Sequence, residues 1–149
     1  MTENVGFIVK FYDKAYEEKN IIDLVNSPVA AISGVSETDA ENLKKAFNIK
    51  TVLGFASNQY VRLAQAINIF STCSGTILDK EFESKDFIEL ADQPVHAISG
   101  VSKGDGEMLK KAFNIETIRD LAENKYVEIA QTTVALAALV ELLLDAGAI

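Results

Sequence analysis

The chain repeats itself. Shifted by 66 residues, "AISGVSETDAENLKKAFNI" (31–49) falls on "AISGVSKGDGEMLKKAFNI" (97–115). Between residues 22 and 65, 26 of 44 positions are identical to those 66 residues on. The match runs through "NQYVRLAQ" and "NKYVEIAQ", and Asp13-Lys14 falls on Asp79-Lys80. Two copies, 13–67 and 79–133, therefore account for most of the 149 residues, with a short lead-in and an apolar C-terminal extension. Solenoids need three or more repeats. Two copies predict either a pair packed about a pseudo-twofold axis or two beads on a linker. The connecting "STCSGT" (71–76) is small, polar and contains Gly75, which predicts a helix break between units in contact. The expected division is a first unit over 1–70 and a second over 77–149.

Each copy reads as helices alone, because no stretch alternates apolar and polar residues long enough for a strand. In the second copy, Ser84 is an expected cap for a short helix over 85–92, and Pro94 opens another. Gly100 ends that one, and Ser102 caps a helix over 103–113. In the first copy the same place reads "SETD", a variant of the capping box at Ser36. Asn114 suits a left-handed terminator, Thr117 caps a further short helix, and Asn124 precedes the last and longest one. The fold class is all-α: two copies of a five-helix unit, with a long apolar C-terminal helix. The lead-in "NVGFIVKFY" is expected to be helical and continuous with "DKAYEE".

Both copies carry an apolar residue, then Ser-Gly-Val-Ser, then a helix ending in "LKKAF" and a following "NIKT" or "NIET". This pattern resembles the helix-hairpin-helix motif of SAM-like domains over about 30 residues per copy. Such domains bind DNA, RNA or other proteins. The resemblance implies that Gly34, Ser36, Gly100 and Ser102 form the hairpin turns. In the family the hairpin reads glycine-apolar-glycine, and its free amides accept a phosphate. Here the second glycine is Ser36 or Ser102, whose hydroxyl occupies an amide that a phosphate would use.

Charge bears on the choice of partner. The net charge is −8, and neither copy is basic, so a polyanion is disfavoured. Lys103, Lys110 and Lys111 are the candidate nucleic-acid contacts; Lys103 faces Asp105 and Glu107, and the first hairpin carries Glu37, Asp39 and Glu41 at the same place. The favoured function is a non-catalytic protein-interaction or scaffold module, acting through a protein partner or self-association. The alternatives are weak, sequence-nonspecific nucleic-acid binding through the hairpin amides, and an apolar small ligand held between the units by Tyr60, Tyr126, Phe47 and Phe113.

Catalytic constellations are absent from the sequence. His96 and Cys73 are single, so they make neither a zinc site nor a paired nucleophile. No cofactor is expected and the chain is not read as an enzyme. With no basic leader, no disulfide framework and no apolar run of about 20 residues, the expected setting is the cytoplasm without a membrane span. The segment 134–144 is apolar almost all round. It fits a buried rod between the units, or a homodimer interface through Val134, Leu136, Leu139, Val140 and Leu143.

Overall fold

The computed structural model describes residues 8–77 and 85–148. Among these the chain is all-α. The first copy holds α1 (Ile21–Val25), α2 (Glu37–Phe47), α3 (Val52–Ala56) and α4 (Gln59–Ile77). The second holds α5 (Lys85–Ala91), α6 (Lys103–Phe113), α7 (Ile118–Ala122) and α8 (Lys125–Asp145). Single 3-10 turns at Val29–Ala31 and Val95–Ala97 follow the two prolines; "PVHAIS" is thus one turn and not a longer helix.

Local chemistry sets the helix ends. Ser36 Oγ accepts from the Asp39 amide at 3.0 Å while Asp39 Oδ2 accepts from the Ser36 amide at 3.1 Å. Ser102 and Asp105 repeat this box, both bonds at 3.0 Å. Asn48 and Asn114 stop α2 and α6 in the left-handed region, at φ 56° and 57°. Asn58 and Asn124 accept from the first amides of α4 and α8. The Ser84 cap lies outside the described residues.

The two long helices are exchanged. α8 packs on α1 and α3 of the first copy, and α4 packs on α5 and α7 of the second. α2 and α6 pack on each other. Gln65 and Gln131, 66 positions apart, meet side by side: each amide donates to the other's carbonyl at 2.8 Å. A residue that contacts its own sequence equivalent marks a pseudo-twofold axis. The core runs continuously across that axis, with Phe55, Leu43, Leu109, Ile118, Leu121 and Val127 fully buried.

Two expectations change. "STCSGT" is not a break: α4 continues through it to Ile77. The exchange gives a physical reason, since α4 must reach α5 as well as α7. The lead-in is not one helix either. Ile8–Phe11 and Lys14–Tyr16 are separate 3-10 turns, and between them Tyr12 pairs in extended conformation with Ile32. The Asp13 amide donates to Ala31 O at 2.8 Å and the Ser33 amide to Phe11 O at 2.7 Å. These backbone bonds to the hairpin replace the ones a helix would make.

Tyr12 anchors this segment. It is buried, and its hydroxyl lies 2.6 Å from Thr133 Oγ1 on α8. Thr133 gives its own proton to Ile129 O at 2.8 Å, so Tyr12 is the donor. Burial pushes the Tyr12 phenol above its ordinary value of 10.0. The unfolded chain then loses this proton at lower pH than the folded one. Tyr12 therefore contributes stability that is present below about pH 10 and lost as pH rises through the folded value. Denaturant titrations across pH 8 to 11.5 should show wild-type stability falling more steeply above about pH 10 than that of Tyr12→Phe. At neutral pH the same variant should be about 1 kcal/mol less stable, through loss of the hydroxyl bond.

Candidate interaction site

The two glycine turns that the sequence singles out occupy equivalent places in the two copies. Gly34 and Gly100 both have φ of +96°, a region that disfavours any side chain. Each also faces a tyrosine from the other copy. A Cβ on Gly34 would stand 2.7 Å from Tyr126 Oη, and one on Gly100 would stand 2.6 Å from Tyr60 Oη. The turn is therefore an interlock: a helix from one copy lies against the hairpin of the other, with no room for a methyl group.

The amides that a phosphate would need are engaged. Ser36 and Asp39 close the first cap on each other, and Ser102 and Asp105 the second. Each turn thus presents a carboxylate beside its capped amides. The three candidate lysines are exposed. Lys110 pairs with Glu116 at 3.0 Å. Lys103 and Lys110 line a shallow hollow of about 300 Å³ with His96, Glu107 and Glu116. Acids therefore accompany the bases, and Lys111 is not among the residues of that hollow.

The duplicated aromatics fill space for one another. Phe47 and Tyr60 sit 4.9 Å apart between ring centres, Phe113 and Tyr126 4.7 Å, and Phe55 stacks near Phe113 at 6.1 Å. A cavity of about 600 Å³ lies elsewhere. It lies between the lead-in (Ile8, Lys10, Phe11) and α8 (Lys125, Tyr126, Ile129), and Ser33 also lines it. Among the described residues no cluster of histidine, cysteine and carboxylate side chains could hold a metal ion.

α8 carries the remaining candidates, and the structure divides them. Val140 is buried, together with Ala137 and Thr133 on the same face. Val134 and Leu136 are half-buried against the core, and Leu143 is half-buried. Leu139 points outward at 50 % exposure, joined by Leu142 at 64 %, which sequence reasoning passed over. Leu142 is one turn from Leu139, so the spacing was available. What was lacking was a polar face to orient the helix. α4 adds Ile69, exposed at 62 %.

The stretch Ile118–Asp145 is long and apolar enough, by length and composition, to cross a membrane. This departs from the expectation that no such stretch exists. The stretch is divided into α7, which packs on α4, and α8, which packs on α1 and α3, so there is no clear span. No family model matches the chain, and no curated protein or solved structure is significantly similar to it.

Two outcomes follow from the hairpin geometry. Gly34→Ala and Gly100→Ala should each lower unfolding stability by about 1–3 kcal/mol in denaturant titrations, from backbone strain and the tyrosine contact. A labelled duplex or single strand of DNA, titrated with the protein at low salt, should show no saturable binding, because both caps are closed by serine and aspartate.

Proposed function

We propose that the chain is a non-catalytic protein-interaction module, formed by two five-helix, helix-hairpin-helix-like units that have exchanged their long helices. The observation that carries this reading is the outer face of α8. Leu139 and Leu142 stay 50 % and 64 % exposed on a helix whose opposite face is core. Large apolar side chains grouped on one exposed helical face favour burial against another protein surface. The closed hairpin caps support a role for the hairpins in holding the two units together rather than in binding phosphate.

The partner that this face suits is a second copy of the chain. A twofold pairing would bring the same leucines against each other and needs no further residue type. Sedimentation velocity over a concentration series should give a reversible monomer–dimer equilibrium. Leu139→Lys with Leu142→Lys should abolish it and leave the helical circular dichroism unchanged. A wild-type chain that stays monomeric at all concentrations counts against association through α8.

A further inference from the structure

The cavity between the lead-in and α8 has a volume of about 600 Å³, within the span of about 300–1,000 Å³ typical of small-molecule sites. Apolar side chains from both elements form part of its wall: Ile8 and Phe11 from the lead-in, Tyr126 and Ile129 from α8. Phe11 is 45 % exposed although its backbone is held, its carbonyl accepting from the Ser33 amide at 2.7 Å. Covering that ring with an apolar body is favourable. The rest of the wall is charged. Lys10 and Lys125 come one from each element, and both are exposed. Neither is in an ion pair among the described residues, where the pairs are Lys110–Glu116 and Arg119–Asp92. Lys125 instead holds its ammonium 5.0 Å from the centre of the Tyr126 ring. Glu128 is the acid among the lining residues, set against two ammonium groups. Two positive charges and one negative leave the lining at +1, in a chain whose net charge is −8.

From this we propose that the cavity binds one amphiphilic monocarboxylate of the medium-chain fatty-acid class. The alkyl chain lies against Phe11 and Ile129, and the carboxylate lies between Lys10 and Lys125. Ser33 and Thr132 supply further hydroxyl donors along the wall. The lining selects this chemistry on both counts. An apolar body covers the exposed Phe11 ring, and a single negative charge matches the excess of one cation. A phosphate monoester, with about −1.5 to −2 charge, would meet Glu128 without a second excess cation. A cationic amphiphile would face two ammonium groups against one carboxylate, a juxtaposition that disfavours it.

The site ends at Thr132, about two helical turns before Leu139, so it does not depend on self-association through the outer leucines of α8. The probes are octanoate, decanoate and decylamine, each below its micelle concentration, titrated calorimetrically into the full chain. Decanoate should bind as one molecule per chain with a Kd below about 1 mM. It should bind more tightly than octanoate, by about fourfold for each added methylene. Decylamine should bind at least about tenfold more weakly than decanoate. Lys10→Gln with Lys125→Gln, both at exposed positions, should abolish that preference while circular dichroism and thermal unfolding stay unchanged. Phe11→Ser should weaken both ligands alike. Lys103→Gln, and Leu139→Lys with Leu142→Lys, should leave decanoate binding as in the wild type. The proposal is overturned if decanoate does not bind the full chain, if decylamine binds equally well, or if the double lysine variant keeps the preference. Uptake of several molecules per chain overturns it as well, since that is adsorption to exposed apolar surface and not occupancy of one site.

Discussion

Each long helix in this protein needs an apolar seat, and finds it on the other copy. α8 lies on α1 and α3, α4 lies on α5 and α7, and the reciprocal Gln65–Gln131 pair sits where the two cross. Neither α4 nor α8 rests mainly on its own copy's short helices. The short helices are five to seven residues long, too short to be stable in water without a packed partner. Their folding is therefore tied to the arrival of a helix from the far end of the repeat. The exchange makes the two copies thermodynamically dependent on each other.

That dependence explains the hairpin. Glycine at positions 34 and 100 satisfies a left-handed backbone and also a close approach by a tyrosine from the opposite copy. Serine at 36 and 102 then caps the next helix with its aspartate partner. Each turn is thus occupied on both sides, by an aromatic ring and by its own side chains. Ion pairs contribute little here. The two described, Lys110–Glu116 and Arg119–Asp92, are exposed or half-exposed, and such pairs add little to stability.

Duplication leaves symmetric positions free to diverge once one of them is covered. The lead-in adds Tyr12 to one hairpin only, and Thr133 on α8 supplies the hydroxyl that the tyrosine requires. The matching position on α4, Ile67, is apolar. The pair of helices that looks equivalent by sequence thus differs chemically where Thr133 stands against Ile67.

Much of the architecture was legible in the sequence. The 66-residue offset implied paired copies, and Ser36, Ser102, Thr117, Asn114 and Asn124 marked helix ends because capping is a local matter of one side chain and nearby amides. Gly34 and Gly100 were legible as turns for the same reason. The sequence could not tell which copy each long helix would join, because α4 and α8 carry the same apolar stripe and either seat satisfies it. It could not orient 134–144, where apolar residues surround the helix and only packing separates Val140 from Leu139 and Leu142. It also misjudged 71–76 and the lead-in, since a polar, glycine-containing stretch stays helical when its ends must reach distant partners, and an apolar one turns extended when a hairpin offers backbone bonds. Local hydrogen bonding was thus written in the sequence, whereas the choice among equivalent apolar partners was made only by the tertiary structure.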